Sequence, residues 1–278
     1  MANSLRLAVN TSIYDGYDMD VVFNSIKKCG FKFFELAYNQ GYISNLSSSI
    51  FSDQNATYIN SLKEKYGLST LALGCTMDLA TDGLVDIFEE RLIFAHKIGA
   101  KYINVCTTKS TKKEKLLKNL ISLCPLLKEN NTILCLENGG DYNYNAFVTV
   151  EDGIALLSNL EKEFYALNFD PGNMVTLNKE IDVVSQSLES MPYCQYFHVK
   201  DVDIVDDKFL FIPVQGKGMI DYATIIPRLK ELDIPFSFEI PLRMYRELDS
   251  TPKKLEKIVD LDEIERTLII SREYIESL

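Results

Sequence analysis

The chain has 278 residues, 46% hydrophobic and 25% charged, an ordinary globular composition with apolar side chains enough for a sizeable core. Twenty-nine Lys and Arg stand against forty Asp and Glu, a formal charge of −11. That balance argues against a protein whose main task is holding a phosphate backbone, because such affinity is largely electrostatic.

The first residues lack the charged and long apolar regions of a signal peptide, and no apolar run approaches the roughly eighteen residues of a membrane span. The six cysteines are scattered, without a C-x-x-C pair, and four fall in or beside apolar runs. Reduced core thiols in a cytoplasmic protein are the expectation.

In chain order, short apolar runs alternate with longer amphipathic ones. Strands are predicted over 5–10, 32–37, 69–75, 101–106, 132–137, 166–170, 195–199 and 236–239. They are mostly apolar on both faces, as parallel strands buried on both sides should be. Helices are predicted over 18–29, 54–66, 84–98, 112–129, 150–162, 179–190 and 221–232, with a last one through much of 252–277. Gly30, Gly67 and Gly99 each follow a helical run and precede a strand, where a left-handed capping glycine belongs. Asp221 fits an N-cap, and Pro252 after Thr251 fits a first-turn proline. The charged stretch 243–249 after the eighth strand reads as a long loop.

Eight strand-then-helix units match a single (β/α)8 TIM barrel of class α/β, occupying the sequence 1–278 as one domain. No Gly-rich dinucleotide fingerprint follows the first strand, and no phosphate-binding Walker loop occurs.

Active sites of such barrels form at the C-terminal ends of the strands. The last polar residues of strands five to eight are Glu137, Asp170, His198 and Glu239. Neighbouring strand ends lie about 5 Å apart, so these groups can converge. Taken singly, each has a plainer explanation: a solvated or paired glutamate, a rim histidine, an aspartate starting a turn at Pro-Gly. Four on consecutive strands are hard to obtain by accident. Three buried carboxylates would repel one another without a cation, and one bound divalent metal is the natural compensation. Oxygen-rich donors lean toward Mn²⁺ or Mg²⁺, with Co²⁺ or Zn²⁺ as alternatives.

The segments Cys29-Gly-Phe-Lys-Phe-Phe-Glu-Leu, Leu-Glu-Asn, Asp-Pro-Gly-Asn, His-Val-Lys-Asp, Gly216-Lys-Gly-Met-Ile-Asp221 and Phe-Glu-Ile occur in that order. In this the chain resembles the xylose isomerase-like barrel superfamily, in particular its sugar phosphate isomerase/epimerase group. The resemblance implies that Glu137, Asp170, His198 and Glu239 hold the metal. It also implies that Glu137 and Glu239 exchange protons with the carbon beside a substrate carbonyl, through a metal-stabilised enediolate. The implied partner is a small carbohydrate, its phosphate or a keto-acid, with no nucleic acid and no membrane. A homodimer is the default for such enzymes.

Lys200, two residues past His198, faces a substrate oxygen or pairs with Asp170 or Asp201. Asn173 stands where several resembling enzymes carry a histidine. Asn138 and Asn10 are candidate donors to substrate hydroxyls. Glu35 reads rather as half of a buried ion pair. Tyr14, Tyr38, Tyr42 and Arg243 lie in loops that set substrate identity, though each fits ordinary packing. The glycines at 216 and 218 shape either a phosphate-proximal loop or a turn into the next helix. His96, far from any strand end, is structural. Two further readings stay open. One is a metal-dependent dehydratase of a keto-inositol or related keto-polyol, which Lys200 and Asp201 fit as well. The other is a carbohydrate-binding barrel without catalysis, which has no need of paired glutamates.

Overall fold

The computed structural model describes residues 5–44, 46–47 and 49–278. Its strands, in chain order, are β1 (Leu7–Asn10), β2 (Phe33–Ala37), β3 (Ser69–Gly74), β4 (Tyr102–Cys106), β5 (Ile133–Glu137), β6 (Tyr165–Phe169) and β7 (Cys194–Val199). They continue with β8 (Asp201–Val205), β9 (Lys208–Ile212), β10 (Phe236–Phe238), β11 (Met244–Glu247) and β12 (Pro252–Lys254). Strands β1 to β7 and β10 close a parallel barrel, each beside its neighbour in sequence order and β10 completing the ring between β7 and β1. The expected (β/α)8 barrel is therefore the fold. Every barrel strand lies within a residue or two of its expected bounds.

Helices α1 (Met19–Lys28), α2 (Asp53–Tyr66), α3 (Leu84–Ile98), α4 (Lys113–Glu129) and α5 (Val150–Leu157) come first. They are followed by α6 (Pro171–Leu177), α7 (Val183–Ser190), α8 (Tyr222–Glu231) and α9 (Leu261–Ser277). Their starts and stops have local causes. Ser52 accepts a hydrogen bond from the Asn55 amide at the start of α2, and Gly67 ends that helix at φ 65°, where a residue with a Cβ is strained. Asp221 caps α8 through the Ala223 amide, as expected.

Several expectations fail at their edges. The helix over 150–162 ends at Leu157, and the one over 179–190 begins at Val183. A short helix not expected at all, α6, starts directly after Asp170, whose side chain caps it by accepting from the Asn173 amide. Pro252 opens no helix: it lies in β12, at the edge of a sheet, where a missing N–H costs least. The last helix starts only at Leu261.

The stretch 243–249 is not merely a loop. It carries β11, which joins β12, β9 and β8 in a second, antiparallel sheet of order β12-β11-β9-β8. Asp206 and Asp207, at φ 49° and 56°, form the tight turn between β8 and β9, the left-handed pair that a two-residue hairpin favours.

Most of the apolar core lies between barrel and helices, including Phe34, Leu73, Ile103, Leu136 and Phe197, all fully buried. A second cluster fills the barrel itself: Ala72, Tyr102, Cys135, Ala166 and Tyr196. The Tyr102 and Tyr196 rings, 5.7 Å apart, form the floor on which the polar residues rest.

Candidate metal centre

Alternate residues of a strand share a face, and here the inward face turns polar one repeat before each strand ends. Tyr196 and His198 of β7 share that face with Lys200 just past its end, as do Asn168 of β6 and Asp170 just past it, Cys135 and Glu137 of β5, and Ser237 of β10 and Glu239 just past it. Above the tyrosine floor comes a layer of Glu35, Asn104, Asn168, His198 and Ser237, and above it Glu137, Asp170, Lys200 and Glu239. All are buried.

The structure brings the four expected metal-site residues together: one potential ligand atom from each of Glu137, Asp170, His198 and Glu239 lies within 4.8 Å of all the others. His198 Nδ1 faces Glu137 Oε1 at 3.4 Å, Glu239 Oε2 at 3.4 Å and Asp170 Oδ2 at 3.7 Å. Its other ring nitrogen, Nε2, contacts Glu35 at 3.0 Å. Glu35 is held in turn by Asn104 Nδ2 at 2.9 Å and by the Ser237 hydroxyl, and is the buried ion-pair partner that its sequence position suggested.

Lys200 reaches the same cluster. Its Nζ lies 2.7 Å from Asp170 Oδ2 and 2.7 Å from Glu239 Oε2. It donates hydrogen bonds to Glu239 Oε2 and to Asn173 Oδ1, and meets the fully buried Asp170 Oδ2 as an ion pair. Three buried carboxylates and an imidazole nitrogen whose ligand atoms converge suit a hard divalent cation. The residues present fit such an ion.

With protein groups alone the cluster is electrostatically tense. Burial, reinforced by Glu239 and opposed by His198, pushes the Glu137 carboxyl up to about 7. Burial also acts upward on Glu239, but Lys200 and then His198 more than offset it and hold that carboxyl far below the usual range. For His198, burial favours the neutral ring, yet Glu35, Glu239 and Glu137 together raise its pKa well above normal. Asp170 is raised by burial and Glu239 against the pull of Lys200.

Asn173 is the hub between the carboxylates and the rest of the cavity. Its Nδ2 donates to Glu137 Oε1 at 2.8 Å, and its Oδ1 accepts from Lys200 Nζ at 3.1 Å and Arg246 Nη2 at 3.0 Å. Asn138 does something else: it clamps the Asp170 backbone, accepting from its N–H at 2.7 Å and donating to its carbonyl at 2.8 Å. Asn10 caps the 3-10 turn that follows β1 through the Ser12 amide at 3.0 Å, and it does not line the cavity.

The cavity above the cluster is walled by Glu137, Asn173, Lys200 and Glu239 below and by Phe211, Met244 and Arg246 of the second sheet to one side. Arg243 and Tyr42 line its mouth. Arg243 pairs with Asp15 at 3.1 Å, and the Tyr42 hydroxyl donates to Asp141 at 2.6 Å. Tyr14 and Tyr38 are absent from the lining; their hydroxyls bond to Ser25 and Asn55 instead. Asp201, offered above as a partner for Lys200, accepts instead from the amides of Val202, Gly218 and Ile220. Those contacts make the glycine-containing stretch a turn into α8.

Sequence reading missed Arg246, Phe211 and Asp141. Phe211 and Arg246 lie on β9 and β11, whose short runs Lys-Phe-Leu-Phe-Ile and Met-Tyr-Arg-Glu do not alternate apolar with polar residues.

None of the curated proteins matches the sequence. Among solved structures, the D-psicose 3-epimerase of Clostridium cellulolyticum H10, crystallised with D-tagatose, is 12% identical with a TM-score of 0.71, covering 98% of this chain and 99% of that one. The probable 3-DHS dehydratase AsbF of Bacillus anthracis is 15% identical with a TM-score of 0.69, over 95% and 97% of the two chains. The IOLI protein with a bound zinc atom is 14% identical with a TM-score of 0.71, over 97% and 99%. At these identities the likeness is one of fold. The model of one family matches residues 23–260, a span that holds all four residues of the cluster, and the chain belongs to the xylose isomerase-like TIM barrel family.

Proposed function

We propose that the protein is a divalent-metal-dependent isomerase or epimerase of a small sugar, sugar phosphate or keto-acid. Glu137, Asp170, His198 and Glu239 would hold the ion, with Mn²⁺ or Mg²⁺ favoured by the three carboxylates. The bound ion would supply Lewis acidity, offsetting the negative charge that develops on the carbonyl oxygen when the neighbouring carbon loses its proton.

One observation carries this reading: two glutamates, from different strands, line one cavity at a site competent for a metal. Their surroundings push them apart. Before the ion binds, Glu239 is held low by Lys200 against the effect of burial and Glu137 is raised by burial, so the two carboxyls differ in proton affinity, as an acid/base pair does. Asn173 orients Glu137 and Lys200 orients Glu239. Exchange between two such groups inverts a centre or moves a carbonyl along the chain. The solved epimerase structures with similar folds support the direction of the reading.

The test is deuterium incorporation from heavy water into a panel of ketoses and keto-acids, with added Mn²⁺ and with chelator. Glu137→Gln and Glu239→Gln should each lower exchange by about a hundredfold or more. Full exchange in both variants, or exchange indifferent to chelator, would overturn the proposal.

A second reading, dehydration, is favoured by Lys200, whose buried ammonium lines the cavity and can donate a hydrogen bond to a departing hydroxyl. A structure with a similar fold bears a dehydratase name. Loss of water from the substrate, detected by mass in the same assay, separates the two.

A further inference from the structure

Arg246 is 8% exposed, on β11, and lines the cavity. Its guanidinium bonds to the Thr176 hydroxyl and to Asn173 Oδ1, both uncharged. Among the described residues no carboxylate lies within ion-pair distance of it. The acids of the cavity are engaged elsewhere: Asp170 and Glu239 with Lys200, Asp15 with Arg243, and Asp141 with Tyr42. Lys200 is thus neutralised, and Arg246 is not. A buried guanidinium without a counter-charge is costly to keep.

The surroundings are built to hold it there. A Cβ at Gly140 would overlap Arg246 Nη1 and Asn173 Oδ1, so the glycine clears the space that the guanidinium occupies. The Phe211 ring lies 5.7 Å from Arg246 and 5.4 Å from Lys200, walling both off from bulk water. From Glu239 to Arg246 there are only three steps, through Lys200 and Asn173, of 2.7, 3.1 and 3.0 Å. A ketose-sized chain whose carbonyl sits at the glutamates can reach Arg246 with its far end.

We propose that the substrate carries a carboxylate at the end remote from its reacting carbonyl, and that Arg246 receives it. This deepens the isomerase or epimerase reading and rests on it. The planar fork of a guanidinium matches a carboxylate with two parallel hydrogen bonds. A phosphate ester fits less well, since the loop that would cradle one gives the amides of Gly218 and Ile220 to Asp201, at 3.2 and 3.3 Å from its oxygens.

Calorimetry on the Mn²⁺-loaded protein tests this with D-fructuronate, D-fructose and D-fructose 6-phosphate, which share one ketose end and differ at the other. The acid should bind at least about tenfold more tightly than the neutral sugar. Arg246→Gln should bring the two within about twofold, while Arg246→Lys, keeping charge without the fork, should retain part of the preference. Equal binding of acid and sugar, no binding of the acid, or a preference surviving Arg246→Gln would overturn the proposal. Tighter binding of the phosphate than of the acid would overturn the carboxylate assignment. Deuterium exchange separates this from the parent reading. Exchange into fructose with no anion preference leaves the reaction standing and removes the carboxylate. An intact preference with no exchange into any compound does the reverse.

Discussion

Glu35 of β2 grips the Nε2 side of His198 of β7 with both carboxylate oxygens, at 3.1 and 3.0 Å, and neither residue is more than 1% exposed. A carboxylate on Nε2 assigns the ring proton there. Nδ1 is then the nitrogen that would give up its proton to a metal, and it is the atom facing Glu137, Asp170 and Glu239. The barrel thus orients its imidazole from below with one carboxylate and offers it upward to three others.

Replacing Glu35 by Gln keeps a hydrogen-bonding group but removes the charge that makes the ring basic. Divalent-metal affinity should fall about 10- to 100-fold, the usual cost of losing such an orienting partner. Competition against a fluorescent chelator reads this directly. Affinity unchanged in Glu35→Gln would deny the carboxylate any part in setting His198.

Metal binding should strengthen as pH rises. Ligands must shed their protons, and burial has moved the Glu137 carboxyl from its ordinary 4.5 to about 7. Glu137 should therefore contribute a rise in affinity near neutrality that is lost in Glu137→Gln, and His198, raised well above normal by its carboxylate neighbours, a further rise at higher pH. Stability without metal should run the other way. Glu137 is raised in the folded state, so its contribution is whole below 4.5 and gone as pH passes about 7. Asp201, raised by burial from 3.8 to about 6, adds the same sign over a lower window. Urea titrations in chelator should show stability falling between those pH values, and Glu137→Gln should flatten the fall. A stability rising across that interval would contradict the assignment.

Lys200 is the counter-ion that the protein itself supplies to Asp170 and Glu239. Lys200→Met should destabilise the chelator-treated protein by about 3 kcal/mol, because two buried charges lose their partner. A divalent ion restores a counter-charge, so added Mn²⁺ should raise the melting temperature of the variant more than that of the unaltered protein. Equal shifts would mean that the ammonium and the metal ion do not serve the same carboxylates.

The parts legible in the sequence are those whose signal is local and repeated. Buried parallel strands are short apolar runs, and their last polar residues marked Glu137, Asp170, His198 and Glu239, which the fold gathers. The second sheet was illegible for a physical reason. Its strands are only three to five residues long and partly exposed, too short for a period to stand out from the connection between two barrel units. Their turn, Asp206-Asp207, is a weaker hairpin signal than Asn-Gly. Pro252 misled because it suits a helix start and an edge strand equally. Asn138 and Asn10 looked like substrate contacts because a sequence shows the polar group and not its partner. Their partners are the Asp170 backbone and the Ser12 amide.

Asn173 gives the sharpest test of how the two halves of the cavity communicate. Its amide nitrogen serves Glu137 and its oxygen serves Lys200 and Arg246, so Asn173→Asp alters both ends by one atom. The donor to Glu137 becomes a second carboxylate oxygen at about hydrogen-bond distance, and like charges there push the Glu137 carboxyl further up. The midpoint of the Glu137-dependent rise in metal binding should therefore move upward by about one unit. At the other end the new carboxylate gives Arg246 its missing counter-charge. The preference for D-fructuronate over D-fructose should then vanish with Arg246 still in place. If the midpoint moves while the preference stays, Arg246 is not the group that selects the anion; if the preference vanishes while the midpoint stays, Asn173 does not govern the protonation of Glu137.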